Sequence, residues 1–205
     1  MKGSRREYYI SVDVEADGPI PGEYSLSSIG ACLAGSFQAD DPELRTYPIV
    51  RPDPVPYPIA TSETTFYVEL QPISDRIDAE AAAIAGLDRG RLTAQGAPAG
   101  AAMTAFRDWL RSTAGDEGRP VFVSFGTFDW MYIAWYFHKF VGENPFGPNG
   151  MDLKSYYMAK ERTIWAWTSK SNLKKKYQAG VRHTHHALDD SIEQALIFQR
   201  LWAPD

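Results

Sequence analysis

The sequence has a single cysteine, Cys32, among its 205 residues. One thiol excludes an intramolecular disulfide bond and a metal site built from several thiolates. This usage is typical of the reducing cytosol, so we expect a cytoplasmic location. The sequence also lacks a run of about 18 apolar residues and an apolar signal region, so we expect neither a membrane span nor a secretory leader.

Positive charge is scarce as well, with 21 Lys and Arg against 26 Asp and Glu and a net charge of −5. Proteins that grip long duplex DNA usually carry an extended basic surface. We therefore expect any nucleic-acid partner to be short or single-stranded and to be held locally. The cations of the second half include Lys154, Lys160, Arg162, Lys170, Lys174, Lys175, Lys176 and Arg182.

Apolar residues, by contrast, make up 44% of the chain and aromatic residues 13%. This is ample for the core of one domain, which we predict over residues 1–205. A proline-rich surface loop is expected at about residues 40–62, because proline is excluded from helix interiors and central strands. Its prolines are Pro42, Pro48, Pro52, Pro54, Pro56 and Pro58.

Residues 8–15, YYISVDVE, are predicted to form a strand that ends in two carboxylates. Side chains alternate along a strand, so Asp13 and Glu15 share one face about 6–7 Å apart and the aliphatic residues fill the other. Adjacent acids repel each other unless a divalent cation such as Mg²⁺ lies between them. The alternative is an exposed strand end whose acids face water.

The rest of the pattern predicts an α/β fold in which helices flank a mixed central sheet, a three-strand meander plus parallel strands. Small residues in the second strand, Gly30 among them, permit close backbone approach. The continuous apolar run at 121–125 indicates a strand buried on both faces. Strands are expected at about 26–34 and 64–70, and helices at 77–84, 99–113, 130–141, 153–160 and up to Trp202.

Two further acids lie where helices begin. Asp129 follows the apolar strand and precedes a helix, and Asp152 also precedes a helix. Either one can serve as a helix cap without any chemistry.

The segment HTHHALDD, residues 183–190, leads into the last helix. Histidines two residues apart do not share a helix face and no cysteine is near, so we do not expect a zinc site. We expect His185 in the loop before the helix, leaning over the site, and Asp190 in the first helical turn. Asp189 is expected to meet solvent or a base such as Arg182.

These acids and the histidine resemble, in order and spacing, the three motifs of the DEDDh 3′–5′ exonucleases, which include ribonuclease T, oligoribonuclease and the proofreading subunit of bacterial replicative polymerase. The similarity extends over about residues 8–201. Ser124-Phe125 replaces the His-Asn usual before the second motif, and the proline-rich loop is longer than the family's hairpin. Both departures bear on substrate choice. The motifs are Asp13-x-Glu15, Phe128-Asp129 and His185-x-Ala187-x-x-Asp190.

The resemblance implies a ribonuclease H-like fold with two Mg²⁺ or Mn²⁺ ions. By similarity, Asp13 would bridge both ions, Glu15 and Asp190 would bind the first, and Asp129 would act directly or through water. His185 would be the general base. The activity implied is hydrolysis at the 3′ end of single-stranded nucleic acid, with RNA somewhat favoured, to release nucleoside 5′-monophosphates. Relatives often pair as homodimers.

Substrate contacts are expected by the same resemblance at Ala16, Asp17, Phe128 and Asp152. Trp165, Trp167, Lys170 and Arg182 are plausible helpers, although core packing is the expected role of the tryptophans. Two other classes of function stay open: an inactive nucleic-acid- or protein-binding module on the same fold, and a small-molecule phosphoesterase. A binding module would not need all four acids and the histidine, which argues against it.

Overall fold

The computed structural model describes residues 5–53, 55–181 and 184–204, and the side chain of Pro42 is not described. Five strands are followed by three helices and then by alternating strands and helices, with three 3₁₀ turns before the last helix. The elements are β1 (Glu7–Ala16), β2 (Leu26–Gln38), β3 (Asp41–Arg45), β4 (Ile59–Thr61), β5 (Thr65–Glu69), α1 (Ala79–Ala85), α2 (Arg89–Gln95), α3 (Ala99–Ala114), β6 (Arg119–Ser124), α4 (Phe128–Phe140), β7 (Gly150–Asp152), α5 (Leu153–Glu161), the 3₁₀ turns Trp165–Trp167, Lys170–Asn172 and Lys175–Tyr177, and α6 (Ala187–Trp202).

The strands form one mixed sheet in the order β4-β5-β2-β1-β6-β7, and β3 pairs with the far end of β2. Pairing is antiparallel from β4 through β5 and β2 to β1. It is parallel between β1 and β6 and between β6 and β7. The predicted α/β class, with a meander of β1, β2 and β5 followed by parallel strands, is confirmed.

Helices cover both faces of the sheet. The aliphatic face of β1, with Ile10, Val12 and Val14, packs in one core with α3 and α4. Tyr9, on the other face, packs against Phe198 of α6. The side chains of Asp13 and Glu15 therefore point towards α6, as alternation along a strand requires.

The proline-rich segment is more ordered than expected, because β3 and β4 lie within residues 40–62. The predicted loop is thus interrupted by two short strands, neither of which is a central strand of the sheet. Both strands pair along one side only, and a strand with a free edge tolerates a proline because the missing N–H is not needed for pairing. Short elements of this kind carry too few residues for a periodic signal, and α2 and β7 were missed for the same reason.

Membrane-spanning helices are also absent: over the described ranges, each helix is too short or too polar to cross a bilayer.

Candidate active site

The acids of β1 lie where three elements meet. Asp13 pairs across the sheet with Gly30 of β2. Gln194 of α6 donates a hydrogen bond from Nε2 to Asp13 Oδ1 at 2.5 Å. Glu15 lies two residues further along β1 and is largely buried. One end of β1 is therefore held against α6 through side chains on both elements.

Gly30 lets the start of α6 lie directly on the sheet. A Cβ atom at this position would overlap the carbonyl group of Ala187 and the backbone nitrogen of Leu188. Because glycine has none, the first turn of α6 approaches the backbone of β2 beside Asp13. The close approach expected from the small residues of β2 is found here, and it sets how near the third motif comes to the first.

The third motif is held by a loop that folds back onto the helix. Asp190, in the first turn of α6, is buried, and its carboxylate accepts hydrogen bonds from the backbone N–H groups of Thr184 and His185, each at 3.0 Å. His185 is exposed and has a φ of 55°, in the left-handed region. One ligand atom each of Glu15, His185 and Asp190 lies within 4.8 Å of the others. Asp190 and His185 therefore have the predicted positions.

Asp129 joins the second motif to the first. It lies in the first turn of α4, is buried, and accepts a hydrogen bond at Oδ1 from the backbone N–H of Val14 at 3.1 Å. The residue at the cap position of α4 is Thr127, and it makes no side-chain capping bond. The alternative that Asp129 serves only as a helix cap is therefore wrong.

Burial raises the pKa values of three site acids, and for two of them the charges of other acids add to the effect. Burial, followed by the charge of Asp129, raises the pKa of Asp13 well above its usual value. Burial and the charges of Asp190 and Asp129 raise the pKa of Glu15 to about 8. Burial also raises the pKa of Asp129 to about 6, against the opposing hydrogen bond from Val14. Oxygen ligands in this electrostatic state fit a hard divalent cation, which stabilises their charged forms.

The neighbours of His185 and Asp190 make other contacts. Asp189 pairs with Arg51 of the proline-rich segment, with Nε 2.6 Å from Oδ1. His186 stacks on Tyr67 with ring centroids 4.7 Å apart. Arg182, the base expected near Asp189, lies outside the described residues, as does His183.

The expected substrate contacts divide into two groups. Ala16 packs in the core, and buried Asp17 pairs with Arg89 and accepts a hydrogen bond from Ser27, so these contacts favour structural roles. Phe128, next to Asp129, leaves 43% of its surface exposed, which suits a contact with a ligand.

Asp152 is the cap of α5 and also holds the turn after β6. Its carboxylate accepts hydrogen bonds from the backbone N–H groups of Lys154 and Ser155 and from that of Gly126. Substrate contact at Asp152 stays a prediction, and these bonds favour the capping alternative.

Sequence reasoning missed Gln194, although a signal exists. It follows Asp190 by four residues, a spacing that places both side chains on one face of a helix. Lys170, which was expected to assist substrate binding, lies with its Nζ 2.9 Å from Glu193 of α6. Its positive charge opposes the rise in the pKa values of Asp13 and Glu15.

The role expected for the two late tryptophans is wrong. Trp165 is 53% exposed and Trp167 is 62% exposed. Both lie in a 3₁₀ turn of three residues, and none of the three residues is buried. Neither indole therefore packs in the core.

A mixed sheet with two acids on its central strand, a third at the start of α4, and a histidine and a fourth acid at the start of α6 defines the DEDDh 3′–5′ exonucleases, and the chain belongs to this family. It is 34% identical over 195 residues to a curated Escherichia coli protein, 3′-5′ DNA exonuclease Cap18, and the match covers 95% of this chain and 91% of the relative. No protein-family model matches the chain.

Solved structures show the same ribonuclease H-like fold. The nuclease domain of 3′hExo, a DEDDh family member bound to rAMP, superposes with a TM-score of 0.64 at 13% identity, over 96% of this chain and 91% of that one. E. coli exonuclease I in complex with a dA16 oligonucleotide gives a TM-score of 0.61 at 12% identity, over 96% of this chain and 40% of that one. The chain is thus a 3′–5′ exonuclease that acts on nucleic acid.

Proposed function

We propose that this chain is a single-domain, metal-dependent exonuclease that removes nucleoside 5′-monophosphates one at a time from the 3′ end of single-stranded DNA. The observation that carries the proposal is the convergence of Glu15, His185 and Asp190, whose ligand atoms lie within 4.8 Å of one another. DNA is favoured because the curated relative is named a DNA exonuclease. The RNA preference expected from the sequence is the alternative outcome of the experiment below.

Asp13, Glu15, Asp129 and Asp190 would hold two Mg²⁺ or Mn²⁺ ions. The donor set fits, because buried carboxylates with raised pKa values ionise readily only when a cation neutralises them. When bound, the ions would activate the attacking water and neutralise charge on the leaving 3′-oxygen.

The protein groups would position the reactants and move the proton. His185 is exposed at the mouth of the site, where its imidazole would accept the proton of the attacking water. The bond from its backbone N–H to Asp190 keeps the ring beside the acids. Gln194 fixes the orientation of the Asp13 carboxylate. Phe128, partly exposed beside Asp129, offers an apolar surface to the terminal base.

Single strands are favoured by charge. The chain carries a net charge of −5, so a long duplex would meet more repulsion than attraction away from the site. The inactive binding module is disfavoured because the charges of neighbouring acids raise the pKa values of Asp13 and Glu15, a cost in stability that mere binding does not need. The expected cytoplasmic location and homodimer stay predictions.

The test is digestion of 5′-labelled single-stranded DNA, its RNA counterpart, blunt duplex DNA and a generic phosphate ester, with Mg²⁺ or with excess chelator. We expect a descending ladder and 5′-mononucleotides from single-stranded DNA in Mg²⁺ alone. Full activity in chelator would contradict the metal requirement. Internal fragments as the only products would contradict the exonuclease proposal, and turnover of the ester alone would favour the phosphoesterase.

A further inference from the structure

We propose that Lys154, Trp165 and Trp167, here called the tryptophan surface, bind the bases and backbone of the single strand upstream of the nucleotide being removed. The inference rests on the proposed function and adds a second binding site to it. The observations that carry it are the exposure of two indoles, a cation stacked on one of them, and a chain of contacts from this surface to the second motif.

The two indoles differ from every other tryptophan of the chain. Trp109 is a core residue, and Trp130, Trp135 and Trp202 pack against the two cores. Trp165 and Trp167 instead expose more than half of their surface, and Ile164 beside them is also exposed. A cluster of large exposed apolar side chains marks a surface that contacts another molecule.

Lys154 links this surface to the active site. Its Nζ lies 4.4 Å from the ring centroid of Trp165. Its backbone N–H and that of Gly126 bond to the same oxygen of Asp152. Gly126 belongs to the turn that continues into Phe128 and Asp129, so Lys154 connects the tryptophan surface to the start of the second motif.

A second cation lies between Phe125, which follows β6, and α6. Lys170 follows the tryptophan turn, and its Nζ lies 5.8 Å from the ring centroid of Phe125. It also pairs with Glu193 of α6, with Nζ 2.9 Å from the carboxylate. Lys170 beside Phe125 and Lys154 beside Trp165 thus form two cation–aromatic pairs near the turn that precedes Asp129, and single-strand binding sites combine such groups to hold bases and phosphates.

Charge favours the tryptophan surface over the segment before α1 as the place where the strand binds. The segment that leads into α1 lies beside the end of β1, where the backbone N–H of Asp78 bonds to the carbonyl of Asp17. This region carries four acids against Arg76, which pairs with Glu23, so its net charge is negative and would repel phosphates, although Ile77 and Ile84 are exposed there. Its acids are Glu23, Asp75, Asp78 and Glu80.

The experiment measures the affinity of labelled DNA oligomers of increasing length for an Asp190→Asn protein, in which cleavage is suppressed. The test variant adds Trp165→Ala and Trp167→Ala. The control adds Tyr57→Ala, another exposed aromatic, which contacts Arg91 near β4 and β5 at the opposite edge of the sheet. Since both indoles are exposed, we expect all variants to keep their melting temperature.

We expect the double variant to lose roughly 10-fold in affinity for each base that stacks, for oligomers long enough to reach the surface, and to bind dinucleotides normally. In proteins that keep Asp190, the same change should raise KM for long strands and leave kcat unchanged. Lys154→Ala should reduce the salt dependence of binding, whereas Lys139→Ala, at the far end of α4, should not.

Equal affinity of test and control for long oligomers would overturn the inference, and so would a loss that is the same for dinucleotides. If the double variant changes only self-association in light scattering, the surface is a protein interface and the inference is also wrong. A length-dependent loss of binding in a chain that degrades no oligomer would support this surface while contradicting the proposed function.

Discussion

Buried carboxylates occur in two kinds of surroundings in this molecule. Asp17 and Glu69 are buried next to arginines, Arg89 for the first and Arg91 for the second. Glu69 also accepts a hydrogen bond from Tyr67. The chain therefore has a way to neutralise a buried acid with its own side chains.

The site acids are treated differently. Among the described residues, no arginine pairs with Asp13, Glu15 or Asp129, and Lys170 opposes the rise in their pKa values without removing it. Charge that the protein leaves uncompensated is what a bound cation can neutralise. The difference separates acids that the protein neutralises itself from acids that, under the proposed function, would bind a metal ion.

Substitutions within the third motif should have the largest effect on activity. Asp190→Asn and His185→Ala should each lower turnover of single-stranded DNA roughly 10²-fold or more, because each removes a group at the reacting centre. Asp189→Asn and His186→Ala should keep most activity, because Asp189 pairs with Arg51 and His186 stacks on Tyr67. The measurement is turnover at saturating Mg²⁺, with melting temperatures to confirm folding.

If Asp189→Asn is inactive and Asp190→Asn is active, the assignment of the third motif is wrong. In that case the acid that awaits a metal would be the one paired with Arg51, and the distinction between the two kinds of carboxylate would fail.

Gly30→Ala tests whether the site depends on the close approach of α6. The added methyl group would overlap the backbone at Ala187 and Leu188, so the helix start must move away from Asp13. We expect a loss of activity on the order of 10²-fold, as for other displacements of about 1 Å, with a stability loss of about 1–3 kcal/mol. Gly100→Ala in α3 is the control, because nothing lies within 4 Å of its Cβ position. Normal activity of Gly30→Ala would show that this approach is dispensable.

Arg89→Gln tests the acids that hold the fold together. It leaves Asp17 buried without its cation, so we expect a loss of about 3 kcal/mol in the free energy of unfolding. Folded protein should keep its turnover at saturating Mg²⁺, and Mg²⁺ should not restore the lost stability. Urea denaturation with and without Mg²⁺ measures this. Full rescue by Mg²⁺ would mean that Asp17 belongs to the metal site.

The sequence was most informative where side-chain periodicity and motif spacing act together. Alternation along β1 put Asp13 and Glu15 on one face, and the spacing of residues 185–190 selected the acid and the histidine that meet Glu15. Pairing between distant segments leaves no such periodic trace. Arg51 and Asp189 form an ion pair although they are 138 positions apart in the chain. The exposure of Trp165 likewise depends on how its short turn is placed relative to the core.

The smallest expected effect is the dependence of stability on pH, which tests the titration of the site acids. Glu15 has an ordinary pKa of 4.5 and a folded-state pKa of about 8, so the folded protein binds more protons than the unfolded chain between these values. Its stability in chelator therefore falls as the pH rises through this window and levels off above it. Asp129, with a pKa of about 6, completes most of its change at lower pH.

Between pH 6 and pH 8 we accordingly expect the melting temperature in chelator to fall by several degrees, since a chain of this size loses about 2–4 °C for each kcal/mol. Mg²⁺ should raise the melting temperature more at pH 8 than at pH 6, because it binds the ionised acids. The control is Asp13→Asn with Glu15→Gln, which should flatten the pH dependence and lose the Mg²⁺ effect, whereas Arg89→Gln should retain both. A melting temperature in chelator that rises over this range in the unchanged chain, with Mg²⁺ adding the same increment at both pH values, would mean that these acids are already neutralised by the protein itself.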